Sequence, residues 1–388
     1  MSRKKKIAVL GSTGSIGVNT LDVAARNPES FRVIGLAAGL NTALLINQVE
    51  AFKPLIVSVL SGRQAAELKK GLKKADPKVV YGPGGAEEVA AFPGNDIVVS
   101  AITGINGLKP TLAAVKAGCR VALANKESMV VAGELLQRQA ERSGARFIPV
   151  DSEHSGIFQC LAKERLEDVS RVILTASGGP FFRTLLAEVG EKTVEEALAH
   201  PRWKMGRKVT VDSATMMNKG LELIEARWLF GLDPRRLAIL VHPQSIVHSL
   251  VEMKDGSILA QLSPADMRIP IHYALTYPRR GEALSAALDL ASVRALEFFE
   301  VEDARYPLVG IARQVMQEGR SYPVALNAAN ETAVSAFLDR RIAFSGIARV
   351  VAEILERHRP AQCRSLDDIF AVDGLTRKQS EEYIKHPS

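Results

Sequence analysis

Two carboxylates stand two residues apart in Asp151-Ser152-Glu153-His154, directly after the apolar run 146–150. Side chains at i and i+2 beyond a strand end can converge on one point, and oxygen donors suit a hard divalent cation. The same Asp or Ser would also serve as the N-cap of a helix carrying Ile157 and Phe158. A third acid, Glu222, closes the run Asp212-Ser213-Ala214-Thr215-Met216-Met217-Asn218-Lys219-Gly220-Leu221-Glu222. Read as one helix over 213–230, this run places Asn218 and Glu222 on one face at i, i+4, with Lys219 beside them and Ser213 near the helix start. That is a carboxylate combined with donors for a phosphate, or else a solvated face. Gly220 favours the first, because glycine inside a helix costs about 1 kcal/mol against alanine and implies close approach by something. Met216 and Met217 read as core.

Lys126 follows the apolar run 120–124 and can polarise a substrate oxygen or pair with Glu127 at the surface. His200-Pro201-Arg202-Trp203-Lys204-Met205-Gly206 has no clear period and reads as a loop, either covering a site or anchored by a buried Trp203. Gly11-Ser12-Thr13-Gly14-Ser15-Ile16-Gly17 lies between an expected strand and an expected helix. Glycines there allow a tight turn and close approach of a pyrophosphate to a helix N-terminus. No acid stands in Ala37-Ala38-Gly39-Leu40-Asn41, where NAD-preferring sites bind the ribose hydroxyl, so NADP(H) is favoured.

The elements that must position these residues follow from periodicity. Short apolar runs at 7–10, 31–38, 56–60, 96–100, 120–124 and 146–150, separated by helical stretches such as 20–26, 110–117 and 132–142, predict a doubly wound parallel sheet. The fold class is α/β. A Rossmann-like domain over 1–150 precedes a central α+β domain over 151–290, with strands near 171–176, 239–241, 246–251 and 258–262. A connection near 270–305 leads to a C-terminal helical domain within 291–388, where Ile347, Val350, Val351, Ile354 and Leu355 mark one apolar face.

Composition narrows the function classes. With 47% hydrophobic and 24% charged residues among 388, the chain is globular. No apolar run nears the roughly 18–20 residues that span a bilayer, so no membrane role is expected. Basic Arg3 to Lys6 leads into only four apolar residues, too few for a signal core, and a cytoplasmic location is expected. Three scattered cysteines make no disulfide framework. The net charge is +7, yet residues 1–150 carry 20 basic against 11 acidic side chains, so the excess lies where phosphates would bind. Lys69, Lys70, Lys73 and Lys74 sit at helical spacing as one wet face. With 5% aromatics, nucleic-acid binding is not expected.

The glycine run at 11–17, Ala-Asn-Lys-Glu at 124–127, Asp-Ser-Glu-His at 151–154, Ala-Ser-Gly-Gly-Pro at 176–180, the 200–206 segment and the 212–222 run occur together and in order. With Val-His-Pro-Gln-Ser at 241–245 and Leu-Asn-Ala-Ala-Asn-Glu at 326–331, the chain closely resembles the 1-deoxy-D-xylulose 5-phosphate reductoisomerase family over essentially its whole length. The resemblance implies conversion of that sugar phosphate to 2-C-methyl-D-erythritol 4-phosphate, in non-mevalonate isoprenoid precursor biosynthesis. It also implies NADPH, a divalent cation (Mg²⁺, Mn²⁺ or Co²⁺), a homodimer, a central domain that carries catalysis and dimerisation, and a loop that closes over substrate. By the same resemblance Asp151, Glu153 and Glu222 hold the metal, and with Lys126 and His200 they form the catalytic set. Substrate contacts fall on Lys126, Ser152, Glu153, Ser177, His200, Trp203, Met205, Ser213, Asn218, Lys219 and Glu222. NADPH contacts fall on Thr13, Gly14, Ser15, Ile16, Gly39, Leu40, Asn41, Asn125, Glu127 and Gly206. Many members carry a basic residue where this chain has Leu40. Two other readings compete: a simple NADP-dependent dehydrogenase with no metal requirement, and a non-catalytic nucleotide sensor.

Overall fold

Seven short runs of the first part line up as one parallel sheet. The computed structural model describes residues 3–203 and 205–386. In chain order the first elements are β1 (Lys5–Leu10), α1 (Ser15–Arg26), β2 (Phe31–Ala37), α2 (Thr42–Phe52), β3 (Ile56–Val59), α3 (Gly62–Gly71), β4 (Lys78–Tyr81), α4 (Gly85–Ala90), β5 (Ile97–Ser100), α5 (Leu108–Lys116), β6 (Arg120–Leu123), α6 (Lys126–Ser143), β7 (Arg146–Pro149) and α7 (Ser152–Cys160). The strand order is β4-β3-β2-β1-β5-β6-β7. The order reverses between β1 and β5, the place where open α/β sheets leave a crevice beyond their strand C-termini. The central strands are buried on both faces, which is why Ile7 to Leu10 and Ile97 to Val99 read as unbroken apolar runs.

The later elements are β8 (Val169–Ala176), α8 (Leu186–Val189), α9 (Val194–Leu198), α10 (Arg207–Ala214), α11 (Met217–Phe230), β9 (Leu237–Val241), β10 (Val247–Met253), β11 (Ile258–Leu262), α12 (Arg268–Thr276), α13 (Leu290–Val293), α14 (Pro307–Glu318), α15 (Tyr322–Leu338), α16 (Phe344–Arg357) and α17 (Leu366–Lys385). A second sheet has the order β11-β10-β8-β9. β10 runs antiparallel to both β11 and β8, and β8 runs parallel to β9.

By internal packing the chain forms two units. One comprises residues up to 128, 136–155 and 266–286; the other comprises 129–135, 156–265 and 287–388. The first contains the seven-stranded sheet and α12, which packs on α1 and is tied to it by Arg268 and Asp22 at 3.3 Å. Helix α12 thus occupies the start of the expected connection. The second unit contains the four-stranded sheet and a helical cluster. There Ile347, Val350, Val351, Ile354 and Leu355 of α16 are buried, as their spacing predicts.

Four local expectations need correction. Strand β4 has no counterpart in the sequence reading, because Lys78 to Tyr81 is a partly exposed edge whose apolar stretch, Val79 to Tyr81, is shorter than a buried-strand run. Helix α6 begins at Lys126, not near 132, and bends at Ala132, whose φ is −139°. Lys73 and Lys74 lie beyond α3, and their backbone amides donate to Glu50 Oε1. The expected helix over 213–230 is two helices, broken at Thr215 and Met216, where Met216 takes a left-handed φ of 59°. Ser213 therefore ends α10 instead of starting a helix.

The close approach implied by Gly220 also has its cause in packing. A Cβ there would stand 2.6 Å from Ala312 Cβ on α14. The glycine lets two helices touch and says nothing of a ligand. Gly220→Ala is expected to lower stability by about 1–3 kcal/mol although alanine is the better helix former. Gly374→Ala in α17, where nothing lies within 4 Å, is expected to raise it by roughly 0.5–1 kcal/mol. Urea unfolding of both variants checks the pair; a stabilised Gly220→Ala would remove the packing argument.

Candidate active site

In the first unit, the turn after β1 makes a cradle at the reversal of strand order. Gly11 has φ of 84°, and a Cβ on it would stand 2.6 Å from Ala101 O beyond β5. A Cβ on Gly17 would stand 2.3 Å from Gly11 O. Only glycine allows this path. Gly14 caps α1 without a side-chain hydrogen bond, and no acid lies in the first turn. Thr13 to Ile16 therefore offer a bare helix head, which suits an anion. After β2, Asn41 caps α2 by accepting from Leu44 N at 3.1 Å, and Leu40 projects into solvent at 78% exposure. Asn125 caps α6 through Ser128 N and donates to Gly104 O and to Glu127, each at 3.0 Å.

The same unit assembles the first acids. β6 delivers Lys126 to the head of α6, and neighbouring β7 delivers Asp151 to the head of α7. Their side chains meet, with Lys126 Nζ 2.7 Å from Asp151 Oδ2. Lys126 is buried, so the surface pairing considered for it does not describe it. Ser152 Oγ donates to Glu153 Oε2 at 2.5 Å. Lys126, Asp151, Ser152 and Glu153 are thus brought together at adjacent strand ends.

In the second unit, Glu222 is 0% exposed. Asn218 Nδ2 donates to its Oε1 and Lys219 Nζ meets its Oε2, each at 2.5 Å. The i, i+4 and i, i+3 spacings of α11 produce this arrangement directly. Met216 and Met217 are core, as expected. Ser177 follows β8 in a turn where Gly178 and Gly179 both have positive φ. A Cβ on Gly179 would lie 2.6 Å from Ser213 O, so the Ser177 turn packs directly on the end of α10. His200 Nε2 lies 3.0 Å from Ser177 Oγ. Its Nδ1 accepts from Trp203 N at 2.9 Å, which leaves the proton on Nε2. Trp203 lies half-buried, its ring 6.3 Å from that of His248. Met205 is half-buried, Gly206 caps α10, and Lys204 lies outside the described residues. The sequence reading missed Lys208, whose Nζ meets buried Asp212 at 2.8 Å. Their i, i+4 spacing was the available signal.

Burial holds His200 below its ordinary value near 6.5, and does the same to His242, His272 and His358. The unfolded chain then takes up protons first as pH falls. The stability these groups give is full above about pH 6.5 and is lost as pH falls from there towards the lower folded values. Urea unfolding between about pH 7.5 and about pH 5.5 should show a falling free energy, with a shallower fall in His200→Gln. An unchanged slope in that variant would contradict the assignment.

Comparison with known proteins gives the same picture along the whole chain. Residues 7–133 match the family model described as 1-deoxy-D-xylulose 5-phosphate reductoisomerase, residues 147–230 its C-terminal domain model, and residues 262–379 a DXP reductoisomerase C-terminal domain model. The 1-deoxy-D-xylulose 5-phosphate reductoisomerase of Chlorobium phaeovibrioides is 50% identical over 381 residues, covering 98% of this chain and 99% of that protein. That of Geotalea uraniireducens is 46% identical over 380 residues, covering 98% of each. The solved reductoisomerase from Zymomonas mobilis in complex with NADPH superposes with a TM-score of 0.93 at 42% identity, over 99% of this chain and 100% of that one. A crystal structure of DOX-P reductoisomerase in complex with NADPH, fosmidomycin and magnesium gives 0.91 at 38% identity, over 98% of each chain. Similarity that holds from the glycine turn through the last helix leads to one assignment: the chain belongs to the 1-deoxy-D-xylulose 5-phosphate reductoisomerase family.

Proposed function

We propose that this chain converts 1-deoxy-D-xylulose 5-phosphate to 2-C-methyl-D-erythritol 4-phosphate with NADPH and a divalent cation, in non-mevalonate isoprenoid precursor biosynthesis. The observation that carries the reading is Glu222, a wholly buried carboxylate inside the stretch 147–230 that matches the family's C-terminal domain model, with Asn218 and Lys219 on its oxygens. Burying such a charge seldom adds net stability, so a ligand is the better reason for it. In this reading Asp151, Glu153 and Glu222 hold the cation. The donor set fits, being all carboxylate oxygen, which suits Mg²⁺ or Mn²⁺ over a thiophilic ion. The glycine cradle fits NADPH, with Thr13, Gly14, Ser15 and Ile16 at the pyrophosphate. Gly39, Leu40 and Asn41 follow β2, and Asn125, Glu127 and Gly206 complete the contacts. Leu40 gives the 2′-phosphate no cationic side chain, which leaves Asn41 and backbone amides.

When bound, the cation supplies Lewis-acid polarisation of the hydroxyketone and NADPH supplies the hydride. The chain's own groups do the rest. Lys126 donates from Nζ to a substrate oxygen, and Ser152 and Glu153 hold its hydroxyls. Ser177, Ser213, Asn218 and Lys219 bind the phosphate, and that remote binding orients the reacting carbons. His200 donates from Nε2 to a substrate hydroxyl, while Trp203 and Met205 exclude water. By domain, 1–150 binds the nucleotide, 151–290 carries catalysis and dimerisation, and 291–388 is the connection and helical domain.

The same reading includes a homodimer in the cytoplasm. Exposed Leu290, Leu296, Phe298 and Phe299 support self-association, with Phe299 bridged to the edge strand β9 at Val241. Among the described residues, no helix is long and apolar enough to cross a membrane. A metal-independent dehydrogenase is not favoured, since a family structure is a complex with magnesium.

Glu222→Gln is expected to cut metal-dependent turnover by about 100-fold or more while the fold and NADPH binding persist. Near-normal rates would refute its ligand role. Lys219→Ala is expected to raise KM for the sugar phosphate by roughly 10-fold or more and leave that for NADPH unchanged. Equal rises would remove Lys219 from the phosphate pocket. Chelation is expected to stop NADPH consumption and added Mn²⁺ to restore it; undiminished turnover would favour the metal-free dehydrogenase.

A further inference from the structure

The 326–331 block matches the family yet takes no part in the reading above. On α15, Asn330 is 0% exposed, and its Nδ2 donates to Asp212 Oδ1 at 2.8 Å. Lys208 Nζ meets the other oxygen, Oδ2, at 2.8 Å. Asp212 is 1% exposed and stands in the last turn of α10, where the helix dipole disfavours a negative charge. Helix stability therefore does not account for an acid at this position. Its neighbours do. Ser213 follows it directly, the Ser177 turn packs on the Ser213 backbone, and Asn218 and Lys219 begin the next helix.

Asn330 works from a fixed base. The adjacent Glu331 pairs with Arg377 of α17 at 2.5 Å, and Asp373 holds that same guanidinium at 2.8 Å. Asn330 Oδ1 has no hydrogen-bond partner among the described residues, so Asp212 alone orients the amide. We infer that Asn330, acting through Asp212, is a positioning residue for the phosphate end of the substrate. It fixes the last turn of α10 and with it the direction of the Ser213 hydroxyl. It touches neither substrate nor cofactor. The inference rests on Ser213, Asn218 and Lys219 forming the phosphate pocket, as proposed above.

Steady-state kinetics of the intact enzyme test it, with 1-deoxy-D-xylulose 5-phosphate and NADPH varied in turn. Asn330→Ala is expected to raise KM for the sugar phosphate about 10-fold, with kcat and KM for NADPH within about twofold. Asp212→Ala, which removes the acceptor, should show the same split and carries the test if Asn330→Ala does not fold. The exchanged pair, Asp212→Asn with Asn330→Asp, restores the hydrogen bond with donor and acceptor reversed and should recover most of the lost KM. A merely structural role would instead lower kcat and raise both KM values together, with no recovery in the exchanged pair, and that result would overturn the inference. Lys219→Ala separates the two levels. If it shows the sugar-phosphate split and the Asn330 and Asp212 variants do not, the positioning role alone falls. If it raises both KM values alike, the phosphate pocket falls and the positioning role with it.

Discussion

A carboxylate removed from water must be given partners, and that constraint shapes the second unit. Glu222 is wholly buried, so α11 places an amide and an ammonium one turn earlier, at Asn218 and Lys219. The left-handed turn at Met216 lets α11 start afresh, so that these polar groups fall in its first turns instead of mid-helix. Gly220 then admits α14 against the same helix. None of this is the cheapest way to build a helix pair. A hydrophobic replacement would pack as well and avoid the desolvation. The arrangement makes sense if the charge is kept for a cation.

The first unit reaches the same end by different means. Its parallel sheet delivers every strand C-terminus to one edge, so residues far apart in sequence arrive together. Lys126 and Asp151 meet because β6 and β7 are neighbours with their ends in register. The glycine turn sits at the reversal of strand order because Gly11 must pass Ala101 at a distance no side chain tolerates. Rigid elements hold both the acids and the glycine turn, which is what a site needs if small displacements are to cost rate.

Much of this was legible in the residues. Strands buried on both faces read as continuous apolar runs, and the glycine turn and i, i+4 pairs carry their geometry in their spacing. The rest depended on partners distant in the chain. β4 is a half-exposed edge whose apolar stretch, Val79 to Tyr81, is too short to read as a buried strand. The break between α10 and α11 has neither glycine nor proline to announce it, since Thr215 and Met216 are ordinary helix residues whose turn is set by packing. Gly220 was correctly marked as a contact point, but spacing could not say that Ala312 was the contact. The hydrogen bond from Asn330 to Asp212 joins residues 118 apart, beyond any local pattern. The family resemblance is the source of the proposed residue roles, and periodicity alone leaves the acids of the 151–154 cluster divided between capping and metal binding.

The central claim is that three acidic residues share one divalent ion. Electron paramagnetic resonance of Mn²⁺ reads this without turnover, by measuring free and bound metal as the protein is titrated. Stoichiometric binding to the native chain, weakened about 10-fold or more in each of Asp151→Asn, Glu153→Gln and Glu222→Gln taken singly, is the predicted result. Native-strength binding in any one of the three variants would contradict the account.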